Sequence, residues 1–235
     1  MKSPFKKGLS NGIPIALGYF SVSFGFGIMA VQSGLTAFQA IIISLTNLTS
    51  AGQAAGVGII AAGGTLIEMA LTQLVINLRY SLMGLSLSQK LSDKFTTPHR
   101  MLASFGITDE IFAVASSQKE KIVPSYMYGL ILISFLGWTG GTAAGALAGL
   151  GLPQTLTAAM GILLYGMFIA IIIPDTKTEK GVLLAVILSS TLSCMFYFVP
   201  WFSWIPQGFS IIICAVVVSA ILAYFFPKKI EEEEV

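Results

Sequence analysis

Charge is scarce in this sequence: Asp, Glu, Lys and Arg make up 10% of 235 residues, hydrophobic residues 55%, and the mean hydropathy is +0.84. So few polar residues cannot cover the surface of a water-soluble domain of this length. There is one histidine, His99, and there are two cysteines, Cys194 and Cys214, each inside an apolar run. With no CxxC pair and no Cys/His cluster, a metal site is not expected and the thiols read as small core hydrophobes. The net charge of +2 is too small to point to nucleic acid, and no basic patch is interleaved with aromatics. HExxH, P-loop and paired catalytic aspartate patterns are missing as well, which argues against an intramembrane enzyme and against a cofactor.

What is present is a series of long charge-poor intervals. Charges gather at residues 2–7, 90–100, 119–121, 175–180 and 228–234, and the stretches between them have membrane-spanning length. The expected fold is all-α, a polytopic transmembrane bundle of six to seven helices in one transporter domain over residues 1–235. The second half, 119–235, accommodates four spans at 125–148, 153–174, 181–199 and 206–227. The connections GLGLP and PWFSWIP carry no charge, whereas Lys119, Lys121, Lys177, Lys180, Lys228 and Lys229 fall at the other ends of those spans. The positive-inside rule then puts the basic ends and both termini in the cytoplasm, with Trp201 and Trp204 at the outer interface. The basic-then-apolar start reads as an uncleaved first span, since no small-residue cleavage site closes a short core.

The first half, 1–118, poses a parity problem. Lys2, Lys6 and Lys7 and the cluster Lys90, Lys94, Arg100 all belong on the cytoplasmic side, so an even number of crossings separates them. Three apolar segments lie between, at 12–31, 37–62 and 65–87. One must be broken or re-entrant, and residues 44–58, SLTNLTSAGQAAGVG, are the poorest lipid-facing helix of the three. Irregular backbone at membrane depth is tolerated where protein encloses it or a wet cavity adjoins it. Glycines 137, 141, 145 and 149 form an i, i+4 stripe that suits close helix packing or, alternatively, substrate lining. A faint echo between residues 25–38 and 142–155 hints at an internal repeat.

Polar side chains in the apolar intervals are the site candidates. Glu68 and Arg79 share one helical edge with Thr72 and Ser86, but stand three turns apart, about 16 Å, too far to pair directly. Ionisable groups at membrane depth usually face a pathway, although Arg79 could also snorkel to headgroups. In FGITDEIFAV, residues 105–114, Thr108 suits an N-cap and Asp109 and Glu110 suit a first helical turn. The segment 101–117 is short for a span, so a half-helix with its acidic start dipping into the bundle is the alternative to a solvated helix start.

The segments GIPIALGYFSVSFGFG, SAGQ, NLRYSLMGLSL and FGITDEIFAV together resemble the AzlC family of branched-chain amino acid exporters, over nearly the whole chain. Matching positions are Pro14, Tyr19, Gln53, Arg79, Gly84, Thr108, Asp109 and Glu110. Ser21, Asn77 and Tyr80 depart from the common pattern, and Glu68 does not resemble a family position. The resemblance implies proton-driven export of leucine, isoleucine or valine across the bacterial cytoplasmic membrane, with a small AzlD-like membrane subunit as partner. A zwitterionic substrate asks for an anion site, at Arg79, Asn77 or the N–H groups near Gly52 and Gln53, and a cation or proton site at Asp109, Glu110 or Glu68. Its aliphatic chain asks for an apolar pocket, for which Phe24, Phe26 and Phe105 are candidates. The competing classes are a substrate-binding membrane subunit of an ATP-driven uptake system and an intramembrane enzyme.

Overall fold

A computed structural model describes residues 3–148 and 176–226, with residues 166, 169 and 173 between them. The span expected at 153–174 falls largely outside these residues, and Gly149, residues 149–155 of the internal echo and the acidic tail lie outside them as well. The described helices are α1 (Pro4–Gln32), α2 (Ala37–Thr46), α3 (Ser50–Ala61), α4 (Leu66–Ser88), α5 (Thr97–Ser104), α6 (Asp109–Ser116), α7 (Pro124–Ala148), α8 (Lys180–Phe198) and α9 (Gln207–Phe225). The expectation of an all-α transmembrane bundle is met. Helices α1, α7, α8 and residues 208–225 are long and apolar enough to cross a membrane. Helix α4, with 23 residues, has the length as well, at about 1.5 Å per residue, but carries Glu68, Gln73, Asn77 and Arg79 along it.

Helices α1 and α7 form the axis of the bundle, and glycine is the reason they approach so closely. A Cβ on Gly129, Gly137, Gly141 or Gly145 would run into the carbonyl oxygens of Phe5, Ala16, Phe20 and Phe24 in turn, and one on Gly27 would meet that of Thr142. The contacts climb both helices together, so α1 and α7 are parallel. Of the two readings of the glycine stripe, close packing is the one seen at Gly137, Gly141 and Gly145.

The end at which α1 begins is called the near end here, and the opposite one the far end. The chain leaves α1 at the far end and descends along α7 as α2, whose start is held by a Thr36–Gln39 capping box. At Asn47 the backbone turns extended, and Asn47 Oδ1 accepts from Thr49 N at 3.0 Å. Thr49 then caps α3 by accepting from Gly52 N at 3.3 Å. Helix α3 climbs back, bringing Val57 beside Phe26, Ala30, Leu35 and Ala146, which are residues of the far end. The α2–α3 element is therefore re-entrant, with its break at residues 47–49, inside the stretch the parity argument selected. Helix α4 descends antiparallel to α3, through contacts of Met69 with Gly56 and of Gln73 with Gly52.

A second re-entrant hairpin rises from the near end. Helix α5 runs along α7, where His99 meets Tyr128 and Phe105 meets Phe135. Gly106, whose Cβ would collide with the Ile131 side chain, lets the tip press against α7. Helix α6 then returns, and Lys90 Nζ donates to Ser116 O at the near end. A short bridge between Leu91 and Ile122 closes that end, with Ser92 N donating to Ile122 O at 2.9 Å. Helix α9 runs down beside α4, and α8 returns along it, since Gly181 at the start of α8 faces Phe226 at the end of α9. The clusters Lys6/Lys7, Lys90/Lys94/Arg100, Lys119/Lys121 and Lys177/Lys180 all lie toward the near end. The far-end connections 33–36, 62–65 and 199–206 hold no lysine or arginine.

Candidate functional site

The two hairpin tips, 47–49 and 105–108, approach from opposite ends and meet at mid-depth of α1 and α7. Each tip is followed by a helix with a threonine N-cap, Thr49 for α3 and Thr108 for α6, where Ile111 N donates to Thr108 Oγ1 at 3.3 Å. Two half-helix N-termini, with their unsatisfied N–H groups and positive dipole ends, thus open toward the same level of the bundle.

Helices α4 and α1 and the second tip with the start of α6 supply the side chains of the charged cluster. Arg79 of α4 places Nη1 2.6 Å from Asp109 Oδ2, with the two side chains 40% and 31% exposed. Its guanidinium lies over the Tyr80 ring, 4.8 Å from the centroid, and Nη2 donates to Tyr80 Oη at 3.1 Å. Arg79 Nε is buried with no acceptor. The pairing replaces the snorkelling alternative for this arginine. Beside it, Tyr19 of α1 donates to Glu110 Oε2 at 2.5 Å and stands 2.6 Å from Thr108 Oγ1. A phenol has one proton, which serves the carboxylate; the threonine's own proton can complete the second contact. Asp109 and Glu110 are adjacent in sequence, yet one faces the arginine and the other is clamped to α1.

The first tip has its own network. Thr49 Oγ1 donates to Asn77 Oδ1 at 2.6 Å, Asn77 Nδ2 to Gln73 Oε1 at 3.1 Å, and Gln73 Nε2 to Gly52 O at 2.7 Å. Toward α2 and α7, Gln53 is 2% exposed; its Nε2 donates to Ser44 Oγ at 3.0 Å, and its Oε1 accepts from Trp138 Nε1 at 2.8 Å. Ser44 in turn contacts Thr142 Oγ1 at 2.7 Å. Trp138 stands edge-on to Tyr19 at 5.3 Å, so the indole and the phenol join the two tips through α7 and α1.

Of the residues expected at the site, Gly52, Gln53, Asn77, Arg79, Asp109 and Glu110 are brought together. Glu68 is not: it lies about 16 Å up α4 from Arg79, 3% exposed, and accepts from Gly208 N at 2.7 Å in the first turn of α9. The phenylalanines also disperse. Phe26 is fully buried in the far-end core, the Phe24 carbonyl lies in the α1–α7 seam against Gly145, and Phe105 is 43% exposed beside Phe135. Not anticipated were Trp138, Ser44, Thr142 and Gln73. Gln73, Asn77 and Tyr80 follow i, i+4, i+7 spacing, a second polar edge on α4 that the periodicity carries. Trp138 sits inside the glycine stripe, and no spacing marks it out.

Among proteins with a known sequence, the chain resembles the inner membrane protein YgaZ of Escherichia coli, 28% identical over 196 residues that cover 80% of each chain. It is 33% identical to an uncharacterized membrane protein of Archaeoglobus fulgidus over 74% of this chain and 76% of the other. It is 22% identical to the branched-chain amino acid transport protein AzlC of Bacillus subtilis over 75% and 69%. No solved structure matches. The profile of the AzlC protein family matches residues 14–152, from within α1 through the whole of α7, which takes in both hairpin tips, Arg79, Asp109 and Glu110. With more than half of its length matched, the chain belongs to the AzlC family and is a multi-pass membrane protein with a role in transport.

Proposed function

We propose that this protein exports branched-chain or closely related hydrophobic amino acids, and that the Arg79–Asp109 pair between the hairpin tips is where the zwitterion binds. The observation that carries the reading is the pair itself. It is half-exposed, holds one cation and one anion at mid-depth, and leaves Arg79 Nε without an acceptor. An α-amino acid presents the complementary charges. Its carboxylate takes Arg79, including the orphaned Nε, and its ammonium takes Asp109, so one ion pair is exchanged for two. Helix N-termini at the same level favour the carboxylate further, as half-helices do in other transporters. The B. subtilis relative named as a branched-chain amino acid transport protein supports the substrate class.

Glu110, on Tyr19 and Thr108, is the second carboxylate, and proton coupling is assigned to the Asp109/Glu110 pair as a whole. The near end, which carries the lysine and arginine clusters, is assigned to the cytoplasm by the positive-inside rule. A small AzlD-like membrane subunit is the proposed partner, co-expressed for any transport assay.

Vesicles loaded with radiolabelled leucine, containing the protein with and without that subunit, test the reading. Efflux is expected from the two-subunit vesicles and lost with Arg79→Gln. Equal efflux from wild type and Arg79→Gln overturns the site. Efflux indistinguishable from empty vesicles overturns the function.

A further inference from the structure

The phenylalanines first considered for the aliphatic side chain are dispersed, yet the structure contains an apolar cavity directly below the second hairpin tip. It has a volume of about 170 Å³ and lies between α4, α5 and α7. Gly84 and Leu87 of α4, Ile107 at the tip and Met127 of α7 shape its inner part, and Leu91 and Phe95 its near-end part. An apolar cavity of about 150 Å³ is known to remain dry and admit a six-carbon ring, so a four-carbon side chain fits this volume.

Its serine protons are turned inward to their own helices. The Ser88 and Ser104 hydroxyls donate to Leu85 O at 2.6 Å and Met101 O at 2.7 Å, within their own helices. Arg100, the one charged residue of the lining, donates from Nε to Phe95 O at 3.3 Å.

Gly84 is the observation that separates this cavity from a packing defect. It is the sole glycine in α4, and glycine in a helix interior weakens the helix. Packing does not demand it: a Cβ there would meet only Ile107 Cδ1, at 3.8 Å, an ordinary contact, unlike the glycines of the α1–α7 seam. Its absent side chain keeps the cavity open. Ile107, facing it, is two residues before Asp109.

We infer that this cavity receives the substrate's aliphatic side chain, and that Gly84 and Ile107 set the size of side chain accepted. The inference rests on the proposed function, with the zwitterion held at Arg79 and Asp109 while the side chain points toward the near end. One methylene in an apolar pocket shifts preference by about tenfold or more.

The test is efflux from two-subunit vesicles loaded with alanine, valine or leucine, comparing wild type with Gly84→Val. Leucine efflux is expected to fall about tenfold or more while alanine efflux changes by less than about twofold. Wild type that moves leucine, with Gly84→Val slowing all three equally or none, overturns this inference and leaves the function standing. Wild type that moves none of the three overturns both. Where Gly84→Val does not fold, Leu91→Ala enlarges the same cavity and is expected to raise phenylalanine efflux relative to leucine; an unchanged ratio overturns the inference.

Discussion

Arg79 of α4 and Asp109, the first residue of α6, are joined by a 2.6 Å ion pair although thirty residues separate them, and the pair fixes a re-entrant tip to the middle of a long polar helix. Half-exposed ion pairs contribute little to stability, about 1 kcal/mol or less. A site that exchanges this pair for substrate charges should therefore be sensitive in transport and insensitive in folding. Asp109→Asn is expected to shift the midpoint of thermal unfolding only slightly while leucine efflux falls at least about tenfold. An unfolding shift of several kcal/mol with proportionate loss of transport would instead make the pair structural.

Tyr19 is buried, and its hydroxyl serves both Glu110 and Thr108. Tyr19→Phe leaves a partly buried carboxylate without that donor and a buried threonine hydroxyl without its partner, which costs about 1–3 kcal/mol. Thermal unfolding in detergent is expected to report a loss in that range, larger than for Tyr80→Phe, whose hydroxyl receives from Arg79. Equal losses would show that the Tyr19 contacts are not a distinct clamp.

How much of this was legible before the structure depends on the distance along the chain over which a residue acts. The break in the second apolar segment followed from counting charges and crossings, and the short segment 101–117 pointed to a dipping half-helix. Neither argument needs to know which residues touch. The Arg79–Asp109 pair, the Tyr19–Glu110 bond and the Gln53–Trp138 bond join residues 30, 91 and 85 positions apart in the chain. Helical periodicity says which edge is polar and not which partner it meets. The same limit explains the phenylalanines: in a membrane bundle an apolar side chain satisfies core, lipid and pocket alike, so Phe26 in the core and Phe105 on the surface cannot be told apart by type. Glu68 illustrates a third case, since its partner is a backbone N–H with no sequence signature.

The glycine seam yields a matched comparison. A Cβ on Gly145 would collide with the Phe24 carbonyl, whereas one on Gly18, in the same α1–α7 pair, would meet nothing within 4 Å. Gly18→Ala is expected to be neutral or stabilising by up to about 1 kcal/mol, from helix propensity alone. Gly145→Ala must push two helix backbones apart and is expected to lower stability by about 1–3 kcal/mol. Yield of folded protein by size-exclusion profile and thermal unfolding both report the difference, and similar behaviour of the two variants would refute the seam.

Glu68 holds the first turn of α9 by accepting from Gly208 N. Glu68→Gln keeps an acceptor at that place, so its effect isolates the charge at the helix N-terminus, about 0.3–1 kcal/mol. Glu68→Ala removes the acceptor and is expected to cost about 1–3 kcal/mol in unfolding free energy. Efflux by Glu68→Gln is expected to stay within about twofold of wild type, because the residue lies about 16 Å from Arg79. A proton-coupling role for Glu68 predicts the reverse ranking, with Glu68→Gln folded and inactive.

The re-entrant reading of α2–α3 makes a parity prediction that a crossing helix cannot share. If the element turns back at residues 47–49, the connections before and after it, around Ser33 and Ala62, open on the same side. The near-end loop at Ser92 then opens on the other side, after the single crossing by α4. If α2–α3 crossed, Ser33 and Ala62 would lie on opposite sides and Ser92 would return to the side of Ser33. Cysteines placed singly at 33, 62, 92 and 203, in a background with Cys194 and Cys214 replaced by serine, decide this with a membrane-impermeant maleimide on intact cells. With the basic near end in the cytoplasm, positions 33, 62 and 203 are expected to label from outside and position 92 only after permeabilisation. Labelling of 92 alone from outside would keep the re-entrant fold and invert its orientation. Labelling that separates 33 from 62 would overturn the fold itself, and with it the meeting of the two tips on which Arg79 and Asp109 depend.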